Sequence, residues 1–314
     1  MEEVDNMNRG MRKVVIVTRH TRLQELIFKY NTKEQVRFYI EHMGADFADY
    51  EDEDIKYQNA VAQVYNTVQN FARVQVVDRG FIPNMVFGKD DVVLCVGQDG
   101  LVANVMKYLD GQPLIGINPD QARYDGVLLP FGAGDMNMVL PEVLEGRNKV
   151  REVTMADAQT NDGQHMLAVN DLFIGCRTHS SARYELKINQ EKEVQSSSGI
   201  IISTGLGSTG WYRSIMEQVS RIARQFGNTD IPYKAVSWEE DKLIYSVREP
   251  FPSRTTQTNL VFGHICPKDN FQIISQMPNH GVIFSDGMEE DAIRFPSGTA
   301  VRIHIADKKG QLVV

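Results

Sequence analysis

The sequence predicts an α/β N-terminal domain built on a mostly parallel, Rossmann-like sheet, followed by a β-rich C-terminal domain. Three observations carry this. Up to about residue 145 apolar runs alternate with helical periodicities, the pattern of strands joined by crossover helices. Beyond it, short β segments follow one another between turn residues, as in an antiparallel domain. The length, 314 residues, exceeds that of one ordinary domain of roughly 150. The expected extents are 12–145 and 146–291, with 292–314 a candidate to complete the first domain.

The elements follow in order. Val14-Val15-Ile16-Val17 is a buried strand, and residues 21–43 carry Leu23, Leu26, Ile27, Tyr30, Val36 and Ile40 at helical spacings. The acidic run 49–54 reads as a solvated loop rather than a metal site. A helix is expected over 55–71 from Val61, Val64, Tyr65, Val68 and Phe71. Strand Val74-Gln75-Val76-Val77, strand Val92–Val96, a helix over 101–109 and strand Leu114-Ile115-Gly116-Ile117 come next. In the second half strands are expected at 168–174, 184–188, 200–203, 243–247, 259–262, 271–274 and 282–285. One helix, 212–226, interrupts them, with Ile215, Val219, Ile222, Ala223 and Phe226 on one face as packing positions.

Composition narrows the function classes. A net charge of −8 argues against nucleic acid or an anionic membrane surface as partner, and no run approaches the roughly 18 apolar residues of a spanning helix. The acidic start, Met1-Glu2-Glu3-Val4-Asp5-Asn6-Met7, is unlike a signal or transit peptide, so a cytoplasmic protein is expected. Cys95, Cys176 and Cys266 are widely separated, as buried thiols in a reducing compartment would be. No His-Glu-x-x-His pattern occurs; no metal site made of protein side chains is expected, and a metal would arrive with a nucleotide.

Two turns carry chemistry. The strand Val92–Val96 breaks into Gly97-Gln98-Asp99-Gly100 and leads into a helix, whose unpaired N–H groups and dipole suit phosphate. Aspartate is also a preferred helix cap, so this string alone leaves cap and phosphate turn equally open. The second is Ser203-Thr204-Gly205-Leu206-Gly207-Ser208-Thr209-Gly210-Trp211-Tyr212, again a strand opening through glycines and hydroxyls into a helix. Those hydroxyls can donate to phosphate or ribose oxygens, or can cap the turn.

In their order and spacing, Gly97-Gln98-Asp99-Gly100, Asn170-Asp171 and Leu206-Gly207-Ser208-Thr209-Gly210-Trp211 resemble the marks of the NAD kinase family. Those marks are a Gly-Gly-Asp-Gly loop, an Asn-Glu dipeptide and a Thr-Gly-Ser-Thr-Ala-Tyr-like turn. The 115–120 stretch with Asn118, the 170–175 stretch and Arg248-Glu249-Pro250 resemble the mitochondrial type. The resemblance implies an NAD kinase-like fold and transfer of the ATP γ-phosphoryl group to the adenosine-ribose 2′-hydroxyl of NAD or NADH, with Mg²⁺ accompanying ATP. It implies Asp99 as the catalytic carboxylate, with Gly97, Gln98, Gly100, Gly207, Ser208 and Thr209 at nucleotide phosphates. Asn118, Asn170, Asp171, Thr204, Leu206, Trp211 and Tyr212 would line the dinucleotide, and a homodimer or higher homo-oligomer is implied.

Several positions depart from the family pattern. Gln98 replaces a glycine against which donor phosphates lie, and it restricts the loop backbone. Leu206 and Leu101 replace threonines, each a hydrogen-bonding group worth on the order of 1 kcal/mol. Asp171 is one methylene shorter than glutamate, and Ser198 stands where an aspartate is usual outside the mitochondrial type. Two alternatives follow: an NAD-binding regulatory protein with weak or no catalysis, and a related kinase acting on a lipid or sugar hydroxyl.

Overall fold

The structure, a computed structural model, describes residues 12–227 and 231–314; the acidic stretch 1–7 lies outside them. The chain divides into two compact units, the first running to Arg151 and taking in Gln311–Val314, the second spanning Glu152–Gly310.

In the first unit β1 (Lys13–Thr18) begins the sheet, and its four central apolar side chains are fully buried. Thr21 opens α1 (Arg22–Tyr30) with a reciprocal capping box to Gln24. The single helix expected over 21–43 is in fact two. Asn31 turns to φ +69 and ends α1, and the Thr32 hydroxyl accepts from the Gln35 amide to start α2 (Lys33–His42). An Asn-Thr pair supplies both a left-handed stop and a new cap, so periodicity on either side does not make the helix continuous.

Asp46 caps α3 (Phe47–Val68), which therefore absorbs the 49–54 run expected as a loop. Acidic side chains in a first turn face the positive end of the helix dipole, which is why such a run can be helical. Next come β2 (Arg73–Asp78), β3 (Val92–Val96), α4 (Asp99–Met106), β4 (Pro113–Asn118), the short β5 (Phe131–Gly132) and α5 (Met136–Leu144).

β6 (Val150–Val153) is where the chain leaves this unit. The sheet order is β2-β1-β3-β4, then the C-terminal strand of the chain, then β6; β5 pairs with β4. Strands β1, β2, β3, β4 and β5 are paired parallel. β3 is apolar and buried at every position, as a strand covered on both faces must be. Tyr57, Ala60, Val64 and Val68 of α3 and Met136, Leu140 and Val143 of α5 form the core with Val14, Ile16, Leu94 and Ile115.

The second unit holds β7 (Ala156–Thr160), β8 (His165–Ala168), β9 (Asp171–Cys176), β10 (Ala182–Ile188), β11 (Glu191–Ser197), β12 (Ile200–Ser203) and α6 (Trp211–Gln225). After them come β13 (Leu243–Val247), β14 (Phe262–Ile265), β15 (Phe271–Ser275), β16 (Gly281–Ser285), β17 (Met288–Arg294) and β18 (Ala300–Ile305). The last strand, β19 (Gly310–Val313), runs parallel to β4.

Two six-stranded sheets, β11-β10-β15-β18-β7-β8 and β14-β13-β12-β9-β16-β17, share one core of Tyr184, Leu186, Phe271, Ile273, Leu172, Ile174, Ile200 and Ile202. Helix α6 lies on the opposite face of the second sheet, with Trp211 and Ile215 against Phe173, Ile201 and Val282. The strand expected at 168–174 is two strands separated by Val169-Asn170, and the one at 259–262 lies at 262–265.

Candidate functional site

In the first unit the sheet delivers the Gly97–Gly100 turn at the carboxyl end of β3, where parallel sheets bind their ligands. The Gly97 amide donates to the Ile117 carbonyl at 3.1 Å, holding the turn to β4. Gln98 is the N-cap residue of α4 by backbone alone: its carbonyl accepts from Leu101 and Val102 while its exposed side chain makes no capping bond. Its backbone, φ −122 and ψ 162, is ordinary extended chain, so this position does not require glycine.

Asp99 is therefore not the cap of α4. Its carboxylate instead reaches the loop after β4, accepting from the Leu128 amide at 2.8 Å and the Val127 amide at 3.2 Å. Two fixed donors orient the group and leave it free lone pairs for a further hydroxyl. A Cβ built on Gly100 would meet nothing within 4 Å, so open space faces the turn; one on Gly97 would touch Leu101 at 3.0 Å.

Asn118, which the resemblance implies at the dinucleotide, is bonded within its own loop. It is buried, its amide donates to the Tyr124 carbonyl at 3.0 Å, and its Oδ1 accepts from the Asp120 amide at 3.0 Å. It shapes the loop that holds Asp99. Gly116 permits this loop to sit down on the sheet, since a Cβ there would lie 1.8 Å from the Leu128 carbonyl oxygen.

In the second unit three segments converge. The Asn170–Asp171 turn ends against the turn after β12: the Thr204 amide donates to the Asn170 carbonyl at 2.9 Å, and the Thr204 hydroxyl donates to the Val169 carbonyl at 2.5 Å. A Cβ on Gly207 would fall 2.0 Å from the Asn170 carbonyl oxygen, so only glycine lets these turns meet. Asp286, at φ +54 in the turn between β16 and β17, accepts from the amides of Val169 (3.1 Å), Asn170 (2.6 Å) and Asp171 (3.2 Å). The Ser203 hydroxyl donates to Asp171. Burial pushes the Asp171 carboxyl up to about 7, against the Ser203 bond and with the help of the Asp286 charge.

The hydroxyls read as ligand donors are mostly engaged within the turn. Ser208 is fully buried, donating to Gly205 and accepting from the Val236 amide, and Thr209 donates to Leu206. Leu206 is buried. Trp211 stacks on Phe173 with centroids 5.9 Å apart and carries the Arg248 guanidinium at 5.6 Å; Tyr212 is buried with Met216 and Ile244. Asn170, Asp171, Thr204 and Gly207 thus form one constellation, and Trp211 and Tyr212 flank it in separate clusters.

Asp286, Val127 and Leu128 were not anticipated as site residues. An Asp-Gly pair after a strand signals a turn, and Asp286-Gly287 also lies within the stretch that resembles the NAD kinase family, but neither assigns Asp286 a contact. Among the described residues no group of three or more His, Cys, Asp and Glu is placed to hold a metal ion, and no helix is long and apolar enough to cross a membrane.

The architecture, a parallel α/β unit followed by a two-sheet β unit with these turns, defines the fold of the NAD kinases. Two solved structures share it: an NAD kinase from Archaeoglobus fulgidus in complex with ATP (TM-score 0.56, 13% identity, covering 96% of this chain and 93% of that one), and yeast NADH kinase complexed with NADH (TM-score 0.59, 14% identity, 98% and 84%). In sequence the chain is similar to NAD kinase 2, mitochondrial, of Rattus norvegicus (28% identity, covering 52% of this chain and 55% of that protein). The same protein of Homo sapiens is 27% identical, with 52% of each covered. The chain spans about half the length of these relatives. No family model matches it.

Proposed function

We propose that the protein is an ATP-dependent NAD kinase that phosphorylates the adenosine-ribose 2′-hydroxyl of NAD or NADH. The observation that carries this reading is Asp99: a carboxylate at the start of a helix, beside open space at Gly100, held by two backbone amides instead of capping its own helix. The NAD kinase fold and the kinship with mitochondrial NAD kinases support it.

In this reading the Gly97–Gly100 turn receives the donor phosphates. Asp99 orients the attacking hydroxyl and accepts its proton as the bond from the ribose oxygen to γ-phosphorus forms and the bond to the β,γ-bridging oxygen breaks, releasing ADP. In so loose a transfer alignment matters more than basicity. Asn170 offers an amide edge to adenine, and Asp171 accepts from ribose hydroxyls. Mg²⁺ belongs with the nucleotide in this reading, and no residue is assigned to it. A cytoplasmic setting and a homo-oligomer complete the proposal. Phe28, Phe38, Tyr39 and Met43, exposed on α1, α2 and just after, offer apolar surface for self-association.

The test is purified protein with ATP, magnesium and NAD or NADH, reading NADP or NADPH, alongside Asp99→Asn. Turnover that falls about 100-fold or more in the variant is expected, the range that a positioned proton acceptor contributes. Tight NAD binding without turnover would make the chain a dinucleotide binder, and transfer to a lipid or sugar hydroxyl instead would replace the acceptor.

A further inference from the structure

The acidic run at the start of α3 is solvated at Asp49 and Asp52 but buried at Glu53. Asp49 and Glu53 lie one helical turn apart and meet three arginines from three places: Arg19 after β1, Arg22 in α1 and Arg123 in the loop after β4. Glu53 is 4% exposed. Burial pushes its carboxyl up, but Arg22 and Arg19 outweigh burial and hold it below the ordinary value, so it stays charged.

What Glu53 touches leads to Asp99. Its Oε1 accepts from Arg19 at 3.1 Å and from the Tyr124 hydroxyl at 3.3 Å, and Arg19 also donates to that hydroxyl at 3.2 Å. Tyr124 belongs to the loop that Asn118 ties at the Tyr124 carbonyl, and three residues onward the same loop presents the Val127 and Leu128 amides to Asp99. One turn further along α3, the Tyr57 hydroxyl donates to the carbonyl of Val96, the residue before Gly97, and accepts from the Arg19 amide at 2.8 Å. The same helix therefore braces the turn that carries Asp99 and the loop that holds its carboxylate.

We infer that Glu53 is a positioning residue for Asp99, acting through Tyr124 and the 118–128 loop. The inference rests on the kinase reading for its effect on turnover, though not for its effect on the loop. A buried ion network is weak evidence of added stability, because desolvation consumes much of the attraction. Misplacement of a reacting group by about 1 Å can cost on the order of 100-fold in rate.

The experiment compares Glu53→Gln, Tyr124→Phe and a control, Glu51→Gln, which removes a salt-bridged acid of the same helix that pairs with Lys33 and Arg37. Tyr124→Phe deletes one hydroxyl and is the arm that survives if Glu53→Gln does not fold. Expected are kcat losses of about 10–100-fold in the first two with KM for both substrates within about twofold, faster amide exchange at Val127 and Leu128, and neither change in the control. Unchanged kcat, unchanged exchange at those two amides, or an equal loss in Glu51→Gln would overturn the inference. If the wild-type chain shows no kinase turnover, the kinase reading fails by itself, and exchange at Val127 and Leu128 still decides whether Glu53 holds the loop.

Discussion

Enclosure of the Asp171 carboxyl makes opposite demands on the free and the liganded protein. Its ordinary value is 3.8 and burial, aided by the Asp286 charge, brings it to about 7, so the folded chain holds a proton there more tightly than the unfolded chain does. The stability this proton confers is complete below about pH 4 and is lost as pH rises through 7. Asp171→Asn removes the penalty: above pH 7 the ligand-free variant should resist urea better than wild type by a few kcal/mol, and at pH 4 the two should converge. If Asp171 accepts ribose hydroxyls as proposed, the ionised carboxylate is the stronger acceptor, so NAD affinity of the wild type should rise with pH through 7 while the variant's stays flat. Calorimetric titrations at pH 6 and 8 check this, and equal affinities would remove Asp171 from the ribose site. Asp99, Asp171 and Gly207 stood out as candidates through their place in motifs that resemble the NAD kinase family, where the side chain or its absence is the mark. Val127, Leu128 and the anchors of Asp286 did not, because they act through backbone N–H groups that nearly every residue owns.

The two motif turns use glycine for different reasons, and substitution separates them. Gly100 lies in the first turn of α4 with space around its Cβ position, so Gly100→Ala should leave stability unchanged or raised by up to about 1 kcal/mol through helix propensity. If phosphates occupy that space, turnover should nevertheless fall at least tenfold. Gly207 meets the Asn170 carbonyl, so Gly207→Ala should cost about 1–3 kcal/mol and weaken NAD binding, with thermal denaturation and titration as readouts. A stable Gly207→Ala protein with full affinity would show that the two turns do not meet as described. Most elements were readable wherever one pattern dominated, as in β3, buried at all five positions; α6 was found from its periodicity, but the face read as packing is largely not the buried one, since Val219, Ile222 and Phe226 are exposed while Tyr212, Met216 and Ser220 are buried. The pattern failed where chain geometry overrode it. Helicity continued in composition but not in space across Asn31-Thr32, and the charged and polar residues within β11, β17 and β18 break up any apolar run there. In Glu191–Ser197 the buried positions are themselves polar, Glu193, Gln195 and Ser197, so no alternation of apolar with polar residues marks the strand.

On the scale of the whole chain, the first unit is completed by its last few residues. β19 sits in the sheet between β4 and β6, pairing Gln311 with Pro113 and Leu312 with Leu114. Leu312 and Val313 are 1% exposed, and Val313 joins the α3 and α5 core. Deleting residues 311–314 removes two fully buried side chains, at roughly 1.5–3 kcal/mol each, and opens a hydrogen-bonding edge on β4 in the middle of a sheet. That loss is comparable with a large share of the roughly 5–15 kcal/mol by which a domain is stable. Hydrogen exchange should therefore show β3 and β4 losing protection in the shortened chain, together with the amides of Val127 and Leu128 that depend on the loop after β4. The amides of β10 and β15, whose ladder and core lie within the second unit, should keep theirs. Because Asp99 takes its orientation from that loop, turnover should drop more steeply than NAD affinity if, as proposed, Asn170 and Asp171 of the second unit hold the dinucleotide. Full protection of β4 after the deletion would mean that the sheet closes without β19, and the dependence of Asp99 on the end of the chain would then be wrong.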